Sequence, residues 1–200
     1  MFDTKIRSAI DKPMRLIARA ASMCGMQADH VTWLGFITGI SAGVAIMFGA
    51  FHWALFLLIF SRFCDGLDGT IARLTKPTDK GAFLDIALDF LFYSFVPFSF
   101  AIYDAANALA AAFLIFSFVG TGTSFLAYAI IAEKNNITPS PDKGIYYLGG
   151  LTEGAETILL LCAFCIWPQS FIPLAVLFGM LCLLTTAIRL YRGMNDFEDA

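Results

Sequence analysis

Long apolar stretches separated by short polar joints dominate this sequence. Beyond residue 30 they recur as windows of about 20 largely apolar residues, the length that an α-helix needs to cross a bilayer. The windows are residues 31–51, 52–74, 82–103, 105–132, 151–167 and 171–190. They predict an all-α, polytopic membrane protein with six transmembrane helices, in which residues 31–190 form one bundle and residues 1–200 a single membrane-embedded domain.

The first 23 residues follow a different pattern. Apolar residues recur there at three- or four-residue steps, with Lys and Arg between them: Phe2, Ile6, Ile10, Met14, Ile17 and Ala21. The spacing predicts an amphipathic cytoplasmic helix beside the membrane, and an anionic lipid surface suits such a helix. A lead-in helix packed on the bundle fits the pattern equally well. Recurring charges argue against a signal peptide in this segment.

Composition and charge support a membrane location. The chain is 58% hydrophobic and has 21 Phe, which argues against an ordinary soluble domain and against a nucleic-acid partner. When alternate sides are assigned to the six windows, the 13 Lys and Arg residues all fall towards one face. Since such residues accumulate on the cytoplasmic side, both termini are predicted to be cytoplasmic, in a bacterial inner (cell) membrane. Arg62 lies near mid-span and requires snorkelling or a carboxylate partner.

Four aspartates interrupt the second and third windows: Asp65, Asp68, Asp85 and Asp89. Helical spacing places the first two on one stripe and the last two on one face of the following helix. Because about six residues connect these helices, they should be antiparallel neighbours whose acidic faces meet near the cytoplasmic edge. Isolated carboxylates are costly there, and bound Mg²⁺ or Mn²⁺ would explain them. Four carboxylates fit two adjacent ions better than one.

Two residues beside the acids suit a phosphate ligand. Gly69 lacks a side chain, so a bulky group can approach the helix backbone. Arg73 offers a fixed fork of donors to phosphate. Acids, glycine and arginine together indicate a diphosphate bridged to a metal.

The stretch Asp65-Gly-Leu-Asp68-Gly69-Thr-Ile-Ala72-Arg73, followed by Gly81, Asp85 and Asp89, resembles the signature of the CDP-alcohol phosphotransferase (CDP-alcohol phosphatidyltransferase) family. All eight fixed positions match at the family's spacing, so coincidence is improbable. Members often carry Pro-Asn-x-x-Thr before the first span. This chain retains Thr32 but lacks the Pro and the Asn.

The resemblance implies specific roles. Asp65, Asp68 and Asp85 would be metal ligands, and Asp89 would be the general base as well as a fourth ligand. The residues implied to sit at the CDP moiety or to close the turn beside it are Gly69, Ala72, Arg73, Thr32 and Gly81. The implied partners are a CDP-linked lipid donor, a small alcohol acceptor, membrane lipids and a second copy of the chain in a homodimer.

Residues for the acceptor are less well marked. The candidates are Lys143, Glu153, Glu156, Arg189 and Arg192. The two glutamates share a helical stripe and fit an interfacial cap as well, and the two arginines fit equally as positive-inside anchors. Relatives that use inositol phosphate carry an arginine near the second glutamate, where this chain has Thr157.

The function predicted from these features is a metal-dependent transferase of phospholipid synthesis, which moves a phosphatidyl group from CDP-diacylglycerol to a small alcohol and releases CMP. The alternative is a CDP-choline or CDP-ethanolamine phosphotransferase acting on diacylglycerol, since Thr152-Glu153-Gly154 is similar to a segment of those enzymes. A cation or proton transporter is a remote alternative, because intramembrane acids often mark ion pathways. It leaves Gly69, Arg73 and Gly81 unexplained.

Overall fold

Helices make up almost all of the described structure. A computed structural model of the chain describes residues 2–135, 152 and 154–197, with side chains from residue 13 onwards. The helices are α1 (Phe2–Met23), α2 (Ala28–Met47), α3 (Phe51–Leu74), α4 (Asp79–Tyr103), α5 (Ala108–Lys134), α6 (Gly154–Ile166) and α7 (Phe171–Asp196). Short 3₁₀ turns at Ala105–Asn107 and Pro168–Ser170 precede α5 and α7. The described part contains no strand, so the all-α prediction is confirmed.

Each predicted window contains one helix, but the helices differ as membrane spans. By length and composition, four described segments are able to cross a membrane: Ala28–Met47, Asp79–Tyr103, Ala105–Lys134 and Pro168–Asp196. Helix α3 carries four charged residues, and α6 has only 13 residues, about 20 Å at 1.5 Å per residue. That is shorter than the roughly 30 Å hydrocarbon core. The six-span count therefore stays a prediction.

Aromatic side chains fill one end of the bundle. Phe100 of α4 stacks on Phe171 of α7 with ring centroids 4.5 Å apart, and Phe171 lies 4.7 Å from Phe164 of α6. Phe51, at the start of α3, stacks on Phe100 at 5.9 Å. Because the start of α3 meets the end of α4, these two helices are antiparallel, as the short connection predicted. Their other ends, which carry the aspartates, therefore lie together.

Helix α2 packs closely against α3 and α4 through glycines. A Cβ atom on Gly35 would lie 3.0 Å from the Cβ of Cys64, and one on Gly39 would lie 2.6 Å from the ring of Phe92. The Ser61 hydroxyl donates to the Gly35 carbonyl at 2.7 Å. Small residues permit this close approach of helix backbones. The spacing brings α2 against the acidic ends of both neighbours.

Helix α1 lies against α3. Met14 and Ala18 are buried in a cluster with Cys64, Leu67 and Ile71. Ile17, which belongs to the predicted apolar stripe, is 42% exposed. The contact matches the packed lead-in interpretation, and placement of α1 on a lipid surface stays a prediction.

Candidate functional site

The ends of α2, α3 and α4 enclose a cleft whose lining includes four carboxylates. Its lining residues are Thr32, Gly35, Phe36, Arg62, Asp65, Asp68, Asp85, Leu88 and Asp89. The four predicted acids all belong to this lining. The structure thus brings together side chains that are up to 24 residues apart in the sequence.

Three of the acids have the geometry of a cation site. Asp65, Asp85 and Asp89 each offer a carboxylate oxygen within 4.8 Å of the oxygens of the other two. Metal–oxygen distances are roughly 2.0–2.6 Å, so one ion placed between such oxygens reaches all of them. These three residues fit a divalent cation.

Asp68 takes part differently. It is only 5% exposed, and its Oδ2 atom is buried without a hydrogen-bond partner in the part of the chain that the structure describes. A buried carboxylate oxygen without a partner is costly, because it has lost water and gained nothing in return. A cation in the cleft would supply the missing interaction. Asp68 therefore fits the predicted ligand set, although it lies outside the close group of three.

Arg62 provides a positive charge inside this acidic cluster. Its Nη1 atom donates to Asp89 Oδ1 at 2.7 Å and lies 3.4 Å from Asp65 Oδ1. The guanidinium carbon sits 4.2 Å from the centroid of the Phe92 ring, within the range of a cation–π contact. Of the two explanations that the sequence left open for this residue, the structure shows the carboxylate partner. Sequence reasoning missed its place in the site.

The residues predicted at the CDP moiety do not all face the cleft. Thr32 lines it. Among the described residues, a Cβ on Gly69 would meet the end of the flexible Arg73 side chain, with Nη1 at 3.3 Å, so a group can approach this glycine if that side chain shifts. Arg73 donates from Nη2 to Thr70 Oγ1 at 3.0 Å and lines a second depression, with Arg15, Thr70 and Leu74. The two depressions use consecutive parts of α3, the first between Arg62 and Asp68 and the second between Thr70 and Leu74.

The remaining two residues predicted at the CDP moiety, Ala72 and Gly81, lie at the adjoining ends of α3 and α4. Gly81 donates its N–H to Thr78 Oγ1 at 3.0 Å and so belongs to the N-terminal cap of α4. Ala72 is half-buried on α3. Both positions lie near the turn that joins the two acidic helices.

The predicted acceptor residues are only partly described. Lys143 and Glu153 lie outside the described residues. Glu156 occupies the first turn of α6. Arg189 donates from Nη1 to the Thr121 carbonyl at 3.0 Å, so it contacts α5, while Arg192 is exposed. The described lining of the carboxylate cleft includes none of these three.

Comparison with known proteins identifies relatives over most of the chain. Residues 26–189 match the family described as CDP-alcohol phosphatidyltransferase. The inner membrane protein YnjF of Escherichia coli (strain K12) is 43% identical over 196 residues, which cover 96% of this chain and 95% of that protein. An archaetidylinositol phosphate synthase of Methanothermobacter thermautotrophicus is 37% identical over 76 residues, covering 38% of this chain and 39% of the synthase.

Solved structures share the fold at low sequence identity. The Mycobacterium tuberculosis phosphatidylinositol phosphate synthase PgsA1 with CDP-DAG bound has a TM-score of 0.73 and 20% identity, covering 90% of this chain and 93% of that one. The same protein in complex with manganese and citrate has a TM-score of 0.71, 20% identity and coverage of 90% and 88%.

Proposed function

This chain belongs to the CDP-alcohol phosphatidyltransferase family and is therefore a phosphotransferase enzyme of lipid biosynthesis, and we propose that it moves a phosphatidyl group from CDP-diacylglycerol to a small alcohol with release of CMP. One observation carries the proposal: the two acidic helix faces meet in a single cleft at one end of the bundle. The CDP-DAG bound to the M. tuberculosis neighbour supports the choice of donor.

The proposed metal ligands are Asp65, Asp68, Asp85 and Asp89. The oxygens of Asp65, Asp85 and Asp89, within 4.8 Å of one another, and the buried Oδ2 of Asp68 fit Mg²⁺ or Mn²⁺ as ligands. Four carboxylates suit two ions. When bound, such ions neutralise the diphosphate and stabilise the charge of departing CMP. The manganese complex of the M. tuberculosis protein is consistent with this set.

Asp89 is the proposed general base. Its carboxylate takes the proton of the acceptor hydroxyl while that oxygen attacks the phosphorus of the phosphatidyl group, and the bond between this phosphorus and the bridging oxygen breaks so that CMP leaves with the bonding electrons. Gly69 leaves room for the donor beside α3, and Thr32 lies at the edge of the cleft. Arg73 would hold phosphate oxygens from the neighbouring depression. Ala72 and Gly81 would shape the surface around the donor.

The acceptor enters the proposal through residues around α6 and the end of α7. Glu156 and Glu153 would face the acceptor, and Lys143, Arg189 and Arg192 would supply charge if that acceptor carries its own phosphate. Arg189 already donates from Nη1 to the carbonyl of Thr121, which holds its guanidinium beside α5. The alternative donor, a CDP-aminoalcohol, is tested in the same experiment.

We extend the proposal to the membrane arrangement. Six helices would cross the bilayer, both termini would be cytoplasmic, α1 would lie at the inner surface, and the protein would be a homodimer in the inner membrane. The E. coli relative is an inner membrane protein. Reporter fusions at both ends test the orientation, and fusions that report a periplasmic terminus would contradict it.

The experiment is a measurement of CMP release by the purified protein. With Mn²⁺ or Mg²⁺, CDP-diacylglycerol and a set of small alcohols, we expect one acceptor to give CMP and a new phospholipid by mass spectrometry. A parallel reaction with CDP-choline or CDP-ethanolamine and diacylglycerol tests the alternative. A chelator should stop turnover, and either metal should restore it. If no CDP-alcohol gives CMP, both the proposed phosphatidyl transfer and the CDP-aminoalcohol alternative are refuted.

A further inference from the structure

Arg62 is the charged residue in the described lining of the cleft to which neither the sequence signature nor the proposed chemistry assigns a role. Its side chain is 9% exposed and lies beside Asp65 and Asp89. A charged side chain at this depth is expensive unless it is paired, and a charge-assisted hydrogen bond of 2.7 Å is at the short, strong end of the range. The pairing explains how the arginine is tolerated but not why this position carries one.

The surroundings of Arg62 fix its guanidinium in one place. The ring of Phe92, which is fully buried, lies under the guanidinium at 4.2 Å, and Tyr93 lies beside it at 5.6 Å. In addition, Nη2 donates to the Ser61 hydroxyl at 3.3 Å. A planar guanidinium held by rings and hydrogen bonds is a rigid donor, which a flexible lysine ammonium is not.

The rigid donor in turn fixes Asp89. Arg62 occupies Oδ1 of this carboxylate, and the Tyr93 hydroxyl lies 3.5 Å from Oδ2. The carboxylate is therefore held mainly through Oδ1, and the more weakly bonded Oδ2 is the oxygen left to receive a proton. A base must be held within a fraction of an ångström of its target, since an error of about 1 Å can cost roughly 100-fold in rate.

We propose that Arg62 is a positioning residue that orients the Asp89 carboxylate for proton transfer and selects Oδ2 as the accepting oxygen. The inference rests on the proposed function, because it concerns the same carboxylate. It goes beyond that function by assigning a role to a residue outside the four acids and the donor-binding set. It also states that the arginine acts on the base rather than on metal affinity.

The first test concerns the pair itself and needs no substrate. Thermal unfolding of the purified, metal-free protein is measured for wild type, Arg62→Met, Asp89→Ala and the double variant. If the guanidinium holds Asp89, the shifts in midpoint of the two single variants should not add, because each already removes the same interaction. Additive shifts would overturn the inference whether or not the protein proves to be a transferase.

The second test separates positioning from construction of the metal site. For Arg62→Met we expect kcat to fall about 100-fold, with KM for CDP-diacylglycerol and the Mn²⁺ dissociation constant within about threefold of wild type. Arg62→Lys keeps the charge but loses the fork, so its kcat should lie between the two. Unchanged kcat, or Mn²⁺ binding weakened more than tenfold together with kcat, would overturn the inference.

The matched control is Lys80→Met. Lys80 pairs with Asp29 at 2.8 Å, nearly as short as the Arg62 contact, but its side chain is 75% exposed. Exposed pairs contribute little, so kcat should stay within twofold of wild type. If wild type binds Mn²⁺ and releases no CMP, the proposed function fails and the positioning role fails with it; additive unfolding shifts in a protein that does release CMP overturn the role of Arg62 alone.

Discussion

Replacement of Asp89 by asparagine separates proton transfer from construction of the cleft. The Asp89→Asn side chain has nearly the same shape, and its remaining oxygen can still accept from Arg62, which now donates to Oδ1 at 2.7 Å. The substitution should therefore leave α4 in place. What it removes is the negative charge and the ability to take a proton.

The expected loss follows from these two changes. General-base catalysis contributes roughly 10²–10⁴-fold, which is about 3–5 kcal/mol of barrier at 1.36 kcal/mol per tenfold. Turnover should fall by that factor. Three carboxylates, Asp65, Asp68 and Asp85, remain in the cleft, so Mn²⁺ and the CDP donor should still bind, with Mn²⁺ affinity reduced by about tenfold or less.

The assay combines CMP release under single-turnover conditions with Mn²⁺ titration by electron paramagnetic resonance. Asp104→Asn is the matched control, since it makes the same change just beyond the C-terminal end of α4, where Asp104 Oδ1 accepts from the Ala106 N–H at 2.9 Å. Asparagine retains that acceptor, so turnover should not change. Near-normal turnover of Asp89→Asn, or loss of turnover only in step with Mn²⁺ binding, would refute the assigned role.

Two further predictions test the cleft and the helix packing around it. Asp68→Asn should weaken Mn²⁺ binding at least tenfold in the same titration, because it neutralises the buried carboxylate whose Oδ2 lacks a partner; unchanged affinity would exclude Asp68 as a ligand. Gly39→Ala should destabilise the protein by about 1–3 kcal/mol in thermal unfolding, because its Cβ would lie 2.6 Å from the Phe92 ring. Gly154→Ala, where a Cβ meets no described residue within 4 Å, is the control and should not destabilise it.

The fold was predictable from the sequence as far as local pattern determines it. Each apolar window contains a helix, and the four-residue joint between Leu74 and Asp79 makes α3 and α4 antiparallel. Boundaries were less certain, since α7 continues to Asp196, beyond the window that ended at residue 190. The close contact of α2 with its neighbours was missed, because Gly35 and Gly39 acquire their meaning only from the side chains opposite them.

The site was predictable where its residues are spaced regularly along one helix or along two consecutive helices. The i, i+3 spacing on α3 and the i, i+4 spacing on α4 predicted that all four aspartates face one cleft, and the structure shows them there. Arg62 was not assigned to it, because its decisive partner, Asp89, is 27 residues away on another helix. Arg73 shows that proximity in sequence does not fix which depression a side chain lines: it is five residues from Asp68, yet it lines the neighbouring depression, and its role at the donor stays a prediction.

Helix α3 is not among the four segments that are apolar enough to cross a membrane, because it carries four charged residues. It nevertheless packs inside the bundle. Its large apolar side chains Trp53, Phe56 and Ile59 are exposed, whereas Asp68 and the Arg62 side chain are turned inwards. This is the reverse of a soluble amphipathic helix, and it is the arrangement expected where lipid is the solvent. Helices α2 and α4 cover the charged face of α3. Gly35 of α2 accepts a hydrogen bond from Ser61, and Asp89 of α4 accepts one from Arg62. The contacts that assemble the cleft are therefore also the contacts that cover Asp68 and the Arg62 side chain.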